Sequence, residues 1–264
     1  ARARHDPRHA RAVPGRHGPD LMDRRPALLS PDPAAPFPPA NQALDRPEGL
    51  LAIGGDLSPA RLLNAYRHGI FPWSSAGQPL LWWSPDPRMV FRTDGVHLSR
   101  RFRREVGGRA WVVRADHAFE AVVARCARAP RPGQDGTWIT PEMERAYAAL
   151  HALGHAHSIE VMDGERLAGG LYGIAVGRMF FAESMFSDVG GGSKVALASL
   201  ARWLASRGWP LVDAQLENPH LRSLGAEAWP RAAFLVAIAT LVDDPVAPGD
   251  WRGMFGEIPA RSLA

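Results

Sequence analysis

Cysteine and lysine are almost missing from this chain of 264 residues, which contains one of each, Cys126 and Lys194. A single cysteine excludes an intramolecular disulfide and any zinc site built from several thiolates. Cys126 lies in a helical pattern, so we interpret it as a buried structural thiol. The spacing of His155, His157 and His220, with no carboxylate cluster near them, does not predict a metal site.

Long apolar runs are missing as well. No segment approaches the roughly 18 consecutive apolar residues that a bilayer-spanning helix needs, and no secretory apolar region follows the first residues. We therefore expect no membrane partner and a cytoplasmic location. Hydrophobic residues nevertheless make up 46% of the chain, which permits a sizeable core.

The positive charge of the chain is carried almost entirely by arginine. Lysine and arginine together number 31 against 27 aspartates and glutamates, for a formal net charge of +4. This excess is compatible with a nucleic-acid partner but does not establish one. Residues 1–30 are rich in Arg, His and Pro without apolar periodicity, which predicts a disordered basic tail. An RNA-attracting arm is the alternative for the same residues.

Residues 31–95 are dense in tryptophan and proline and predict a small N-terminal domain. Within it, Ser58 followed by proline predicts the start of a helix, and Gly69 predicts its end. Its tryptophans lie in two segments, Trp73 in the first and Trp82 and Trp83 in the second, and they supply flat apolar surface. These rings form either the core of the small domain or the wall of a cleft for a nucleobase.

A second domain is predicted over residues 96–250, followed by a C-terminal tail over 251–264. After a basic helix at its start, the predicted order of elements is β-α-α-β-β-β-α-β. This order indicates an α+β fold with a mixed sheet around one core.

Cap and turn residues mark the elements of this second domain. Ser99 begins the basic helix, and Asp116 and Thr140 are each expected to cap a further helix. Residues 130–136 are predicted to form a loop, and Asp163-Gly164 is the turn of a β-hairpin. The basic helix carries four arginines, which are Arg100, Arg101, Arg103 and Arg104.

The stretch from Arg178 to His220 organises the second domain. It predicts an apolar strand from residue 179, a glycine loop at 190–192, a helix and a second short strand at 211–212. A glycine loop between a strand and a helix N-terminus can bind an anion, because free N–H groups and the helix dipole carry partial positive charge. Lys194 at this N-terminus opposes the dipole, so we expect it to contact a phosphate or carboxylate.

Polar side chains cluster where these two strands end, and they are Glu183, Ser184, Ser187, Asp213 and Gln215. Catalytic groups are commonly placed at strand ends in α/β folds. Each of these residues also has a structural interpretation, because a strand-end aspartate often caps a turn and a buried glutamine is usually a satisfied amide. The glycine loop lacks the spacing of a P-loop.

Several uncommon motifs follow one another between Phe37 and Phe234, among them G-I-F-P-W, W-W-S-P-D-P-R, G-T-W-I-T, E-S-M-F-S, D-A-Q and N-P-H-L-R-S-L-G-A. Together they resemble the leucyl/phenylalanyl-tRNA–protein transferase family. The resemblance implies transfer of Leu, Phe or Met from aminoacyl-tRNA to the N-terminal Arg or Lys of acceptor proteins, which marks them for the N-degron pathway. It also implies a GNAT-like acetyltransferase fold for the C-terminal domain, a monomer, and no CoA, metal or nucleotide cofactor.

The resemblance also assigns residues. It implies that Asp213 and Gln215 are the catalytic pair and that Glu183 lies near the acceptor and the aminoacyl ester. The residues implied to hold the transferred side chain are Leu171, Met185, Leu200 and Val212. Those implied to lie near the terminal adenosine are Trp82 or Trp83, Trp138 and Tyr147, and Ser187 and Lys194 complete the predicted substrate-binding set.

The reaction needs a neutral amine held against the ester carbonyl, since the ester is already activated. We expect Gln215 to position the amine, while Asp213 either accepts a proton or only orients Gln215, in which case the 2′-OH of the tRNA ribose could shuttle the proton. Two other functions remain open from the residues alone. The glycine loop fits a CoA-dependent N-acetyltransferase, and the basic surface fits a non-catalytic RNA-binding module.

Overall fold

A small sheet and one helix form the N-terminal part of the chain. The computed structural model describes residues 25–129 and 137–264. The small sheet has the strand order β1-β2-β4-β3. Its strands are β1 (Ala27–Leu28), β2 (Leu50–Ile53), β3 (Phe71–Pro72) and β4 (Leu81–Trp83), and helix α1 (Pro59–Arg67) packs beside them.

A larger sheet of eight strands forms the rest, with the order β11-β5-β10-β9-β8-β7-β6-β12. The strands are β5 (Arg88–Arg92), β6 (Val112–Ala115), β7 (Ala156–Asp163), β8 (Arg166–Val176), β9 (Met179–Ser187), β10 (Leu211–Gln215), β11 (Glu227–Trp229) and β12 (Ile258–Pro259). Neighbouring strands are antiparallel except β9 and β10, which are parallel. The predicted α+β class with a mixed sheet is confirmed.

The helices of this part cover both faces of the large sheet. They are α2 (Arg100–Gly107), α3 (Phe119–Arg128), α4 (Pro141–Ala152), α5 (Gly192–Ala205), α6 (Pro219–Ser223), α7 (Arg231–Val242) and α8 (Trp251–Phe255), with short 3-10 helices at Ala40–Gln42 and Ala260–Leu263. The predicted element order from β6 to β10 is confirmed. In residues 25–129 and 137–264, no helix has the length and apolarity that crossing a membrane requires.

Three of the predicted helix starts are confirmed. The side chains of Ser58, Ser99 and Thr140 each accept a hydrogen bond from a backbone N–H in the first turn of the helix that follows. Such caps satisfy N–H groups that have no partner within the helix. The predicted hairpin is also present, as β7 and β8 around Gly164, whose φ is 60°.

The prediction that Asp116 caps a helix is wrong. Helix α3 begins at Phe119, and its N-cap residue makes no side-chain cap. Asp116 instead is buried, with a φ of 60°, and its carboxylate accepts hydrogen bonds from the ring of His157 at 2.8 Å and the N–H of Trp251 at 3.1 Å. These hydrogen bonds fasten the C-terminal segment to the large sheet.

The predicted domain limits differ from the structure at three places. Residues 1–24 of the predicted tail lie outside the described residues, but Ala27–Leu28 form β1. Strand β5, assigned by sequence to the N-terminal domain, lies inside the large sheet, because the buried run Met-Val-Phe needs partners on both edges. Residues 251–264, predicted as a tail, form α8, β12 and a 3-10 helix against β6. The predicted loop at 130–136 lies outside the described residues.

Two apolar cores lie on opposite faces of the large sheet. One contains Tyr66, Tyr147 and Phe181, and it is shared with the small sheet and with α1, α4 and α7. The other contains Phe180, and it is covered by α5 and α8. Consecutive strand residues such as Phe180 and Phe181 point to opposite faces, so each face has its own set of side chains. Cys126 is buried in the first core, as expected.

Candidate active site

The parallel strands β9 and β10 separate at the polar end of the large sheet. Their pairing stops at the pair Phe181 and Asp213. Just beyond it, the register of β8 and β9 shifts so that Glu183 has no partner across the strand. This bulge changes the alternation of side chains, and as a result Phe181 and Phe186 face the same core although they are five residues apart. Glu183 itself still follows the ordinary alternation from Phe181, so its side chain faces the first core.

Glu183 receives hydrogen bonds from three different parts of the chain. Tyr66 of α1 donates to its Oε1 at 2.8 Å, and Tyr147 of α4 donates to its Oε2 at 2.7 Å. The side-chain amide of Gln215 donates to Oε1 at 2.8 Å. Both tyrosines are fully buried, and Glu183 itself is 9% exposed. The carboxylate is therefore held in one orientation at the edge of a core.

Burial raises the pKa of Glu183 to about 7, and the negative charge of Asp213 adds to the increase. The hydrogen bonds from Tyr147, Tyr66 and Gln215 oppose this effect, because they stabilise the charged carboxylate. A carboxyl group with a pKa near neutrality can both accept and release a proton under physiological conditions. Glu183 is therefore suited to general acid–base chemistry.

Asp213 is fully buried and paired with an arginine that the sequence analysis did not select. Arg88 of β5 donates to both oxygens of Asp213, from Nε at 2.8 Å and from Nη2 at 2.6 Å. Arg88 also donates to the carbonyl of Gly69 at 2.9 Å, and its guanidinium lies between the rings of Phe71 and Phe234. With both oxygens bound to Arg88, the carboxylate is held as a structural anion.

Asp213 in turn positions Gln215. Its Oδ1 accepts the backbone N–H of Gln215 at 2.9 Å, across a bulge in β10 where Gln215 has a φ of 61°. Positive φ is unusual for a residue other than glycine and is stabilised here by this hydrogen bond. The turn brings the side chain of Gln215 onto Glu183 rather than along the strand.

A cleft of about 270 Å³ opens in front of Glu183 and Gln215. Trp73 and Trp138 line one side of it, and α6 contributes Leu221. The other residues that line the cleft are Phe71, Pro72, Ala214, Leu216, Glu217 and Asn218. Glu183 and Gln215 are thus exposed to a space that could hold a reacting group, whereas Asp213 is not among the lining residues.

The glycine loop lies between β9 and α5 and packs against α2, since the Gly191 position is close to the Phe102 ring. Ser187 accepts the N–H of Ser193 and donates to its hydroxyl, both at 2.9 Å, which closes the loop. Lys194 lies 5.4 Å from the centre of the Phe102 ring of α2, next to the four α2 arginines. Burial and the charge of Lys194 together lower the pKa of His220 in α6.

Family models match both parts of the chain. The model described as leucyl/phenylalanyl-tRNA protein transferase matches residues 90–239, and the model of that family's N-terminal domain matches residues 55–86. A leucyl/phenylalanyl-tRNA–protein transferase from Xanthomonas euvesicatoria is 66% identical over 91% of this chain and 96% of its own length. One from Xylella fastidiosa is 59% identical over 92% of this chain and its full length.

The chain belongs to the leucyl/phenylalanyl-tRNA–protein transferase family. It is therefore an aminoacyltransferase, and the alternatives of a CoA-dependent acetyltransferase and a non-catalytic RNA-binding module are set aside.

Solved structures add little to this assignment. The structure of L-PGS from Bacillus licheniformis aligns with 60% of this chain and with 65% of its own chain. The TM-score is 0.38 and the sequence identity is 11%. The structure of a GCN5-related N-acetyltransferase from Kribbella flavida aligns with 65% of this chain and with 61% of its own chain. The TM-score is 0.31 and the sequence identity is 10%.

The four apolar residues that the family resemblance selected lie together, but behind the sheet. Leu171 and Met185 face each other across β8 and β9. Leu200 of α5 and Val212 of β10 belong to the same apolar cluster, between α5 and the sheet. None of the four lines the cleft. Val212 and Asp213 are consecutive on β10 and so point to opposite faces, which separates the apolar set from the polar one.

The aromatic residues selected for adenosine fall into two groups. Trp82 is fully buried, donates to the carbonyl of Gly54 and packs edge-on against Phe37, so it is a core residue of the small sheet and cannot contact a substrate. Tyr147 is also fully buried and is bound to Glu183 instead.

The other two selected tryptophans lie at or near the cleft. Trp138 lines the cleft itself. Trp83 lies behind Trp73, donating to its carbonyl at 2.7 Å. Trp73, in the G-I-F-P-W motif, also lines the cleft; the sequence analysis included it only among the tryptophans that could form such a wall.

The sequence analysis missed Arg88 and Tyr66, which donate hydrogen bonds to Asp213 and Glu183. A signal for Arg88 was present, since it is an arginine at the start of the apolar run Met-Val-Phe, where a buried charge needs a partner. Tyr66 lay on the apolar side of α1 and gave no signal of its own. Within residues 25–129 and 137–264, no group of three or more His, Cys, Asp or Glu side chains is placed to hold a metal ion.

Proposed function

We propose that this chain transfers Leu, Phe or Met from aminoacyl-tRNA to the α-amine of an N-terminal Arg or Lys in acceptor proteins. Its product would then enter the N-degron pathway, with the enzyme acting as a cytoplasmic monomer. Family membership supports the class of reaction, and the names of the curated relatives supply the leucyl and phenylalanyl groups and the protein acceptor. The observation that carries the mechanism is a carboxyl group of pKa about 7 facing the cleft, bound to Gln215.

The reaction exchanges an ester for an amide. The acceptor nitrogen attacks the ester carbonyl, the bond from carbon to the ribose oxygen breaks, and the free 3′ end of the tRNA leaves with one proton. The nitrogen must lose a proton over the whole step. An α-amine has a pKa of about 8, so a useful fraction is neutral at physiological pH. What the protein has to supply is position and a proton acceptor.

In this proposal Glu183 accepts the proton and Gln215 holds the amine. Because the amide nitrogen of Gln215 donates to Glu183, its amide oxygen is the group that can accept a hydrogen bond from the incoming amine. Asp213 acts as the orienter rather than the base, since both of its oxygens are bound to Arg88. Glu183 can return the proton to the leaving ribose oxygen.

The apolar cluster behind the sheet is proposed to receive the transferred side chain. Ala214 belongs both to the lining of the cleft and to the cluster around Met185, so it marks the border between the two. Beyond Phe181 and Asp213 the parallel strands are no longer paired, which leaves a route between them. A Met-lined site adapts to Leu, Phe and Met, whose side chains are not branched at Cβ, whereas β-branched Ile and Val should fit poorly.

The aromatic side of the cleft is proposed to hold the terminal adenosine of the tRNA. Trp138 and Trp73 present flat faces on which a base can stack, and such stacking contributes about 1–3 kcal/mol per base. Lys194, Ser187 and the α2 arginines are proposed to bind phosphates beyond α6. This arrangement places the ester between the tryptophans and the carboxyl group.

The test is transfer of radiolabelled leucine from Leu-tRNA to a peptide that begins with arginine. Wild-type protein should form the labelled peptide, and Glu183→Gln should lower the rate by about 10²-fold or more, the usual contribution of a general base. The matched control is Glu160→Gln, which changes another buried glutamate of pKa about 7 in the same sheet. Absence of product with wild-type protein would contradict the function. Full activity of Glu183→Gln would contradict the mechanism.

A further inference from the structure

A second cavity neighbours the cleft and is lined in part by the segment that follows β3. Two chain segments line the cleft, one at residues 71–73 and one at Trp138. The same two segments run on into a groove of about 700 Å³, which we call the side groove. It is lined by residues 56–57, 74–78, 80, 140–143, 145 and 146. Trp73 of the cleft and Ser74 of the side groove are consecutive, and Trp138 and Thr140 are two residues apart, so the two cavities are neighbours along both segments.

The side groove has the composition of a peptide-binding surface. Leu57, Leu80 and Met143 form apolar floor, and Ser75 and Gln78 on an exposed turn supply hydrogen-bonding groups at the rim. Mostly apolar lining with a few polar groups is typical of binding clefts, and the volume of the side groove falls within the roughly 300–1,000 Å³ that such clefts have.

Charge decides between a polypeptide and the tRNA as occupant. The charged residues lining the side groove are Asp56, Glu142 and Arg145, and Arg145 is paired with Glu142 at 3.2 Å. Nucleic acid needs unpaired cations for its phosphates and is repelled by carboxylates. The cations that could serve RNA are Lys194, which lies against Phe102 of α2, and the α2 arginines, and none of them lines the side groove.

We propose that the side groove binds the residues of the acceptor polypeptide that follow its N-terminal residue. This inference rests on the proposed function, because it takes the reacting amine to be in the cleft at Glu183. An acceptor that is a protein must leave the cleft along some path. The side groove neighbours the cleft, and among the lining residues that the structure describes its one cation, Arg145, is paired with Glu142. The tRNA then enters from the α2 side and the acceptor from the small-sheet side.

The experiment compares two acceptors that begin with arginine, a dipeptide amide and a hexapeptide. With wild-type protein, the KM for the hexapeptide should be lower, because its later residues also bind in the side groove. Ala76→Trp fills the groove from an exposed turn and disturbs no core. It should raise the hexapeptide KM by about fivefold or more, as expected when a binding subsite is blocked. Transfer to the dipeptide should stay at the wild-type rate, which also shows that the variant is folded.

Val236→Trp is the matched control, since Val236 is 76% exposed on α7, and neither cavity includes it among its lining residues. An equal loss for both acceptors in Ala76→Trp would overturn the inference, and so would equal KM values for both in wild type. A rise in KM for aminoacyl-tRNA alone would also overturn it and assign the groove to RNA. Failure of wild type to modify either acceptor would instead defeat the proposed function, and with it this inference.

Discussion

Removing the hydroxyl of Tyr147 should shift the pH dependence of transfer to higher pH. Tyr147 donates to Oε2 of Glu183 at 2.7 Å and stabilises the charged carboxylate, so Tyr147→Phe raises the pKa of Glu183 above about 7. A hydrogen bond to a charged group contributes about 1.5–3 kcal/mol, and one pKa unit corresponds to about 1.4 kcal/mol. We expect the pKa of Glu183 to rise by about 1–2 units.

The consequence for the rate follows from the ionised fraction of Glu183. At pH 7 about half of the wild-type carboxyl groups are charged, against about a tenth or less in the variant if its pKa is about 8 or higher. Transfer at pH 7 should therefore fall about fivefold or more. The ratio of variant to wild-type rate should then climb toward one above about pH 9, or about pH 10 for the larger shift, where both carboxyls are charged. The acceptor amine titrates identically in both proteins and cancels from the ratio.

The measurement is single-turnover leucine transfer from pH 6 to 10 with saturating peptide. Tyr147→Phe in a Glu183→Gln background is the control, because without a titrating carboxyl the second substitution should leave the pH profile unchanged. A rate ratio between Tyr147→Phe and wild type that is constant from pH 6 to 10 would refute the assignment of Glu183 as proton acceptor. It would show that the hydroxyl acts only through packing.

Four further outcomes are expected. The raised pKa of Glu183 means that its contribution to stability is present below about pH 4.5 and is lost as pH rises through about 7. Urea denaturation at pH 5 and 8 should show that Glu183→Gln gains about 3 kcal/mol relative to wild type between these values. Arg88→Met leaves a buried unpaired carboxylate and should cost about 3–5 kcal/mol of unfolding free energy, with partial recovery on adding Asp213→Asn. Gly191→Ala should lower the melting temperature, because φ is 91° there and a Cβ would lie 2.4 Å from the Phe102 ring. Changing the four α2 arginines to glutamine should weaken tRNA binding and flatten its salt dependence, by about 0.7–0.9 in slope for each phosphate that is no longer neutralised.

Local signals in the sequence predicted most of the strands of the large sheet and the starts of several helices that pack on it. Ser99 and Thr140 mark helix starts because the side chain of a cap bonds its own first turn, an interaction that needs nothing from the rest of the fold. The hairpin around Gly164 follows from its turn for the same reason. Where only short-range physics is involved, pattern and structure agree.

Asp116 shows where this reasoning stops. Its position before a helix is that of a cap, yet its partners, His157 and Trp251, lie 41 and 135 residues away along the chain. A local pattern cannot reveal a competitor at that distance. The same holds for Arg88, whose partner Asp213 is 125 residues away, and for Tyr66, which reaches Glu183 across 117 residues.

The composition of the candidate site was predictable, but its arrangement was not. The ends of β9 and β10 were selected correctly as the place where polar residues gather. Two bulges, at Glu183 and before Gln215, then decide which face each side chain takes. A shift of one residue exchanges the faces of a strand, and no residue type in E-S-M-F-S or D-A-Q announces it. The bulge at Glu183 is the reason why Met185, two residues later, packs against the second core instead of the first.

The position of β5 in the large sheet has a consequence for biosynthesis. Both of its neighbours, β10 and β11, come about 120 residues or more after it in the chain. At the usual 5–20 residues per second, a ribosome needs about 6–24 s to make that distance. During this time the Met-Val-Phe run of β5 has no strand to pair with. Nascent chains of this protein should therefore depend on chaperones more than their final stability suggests, and shortened products that end before β10 should aggregate.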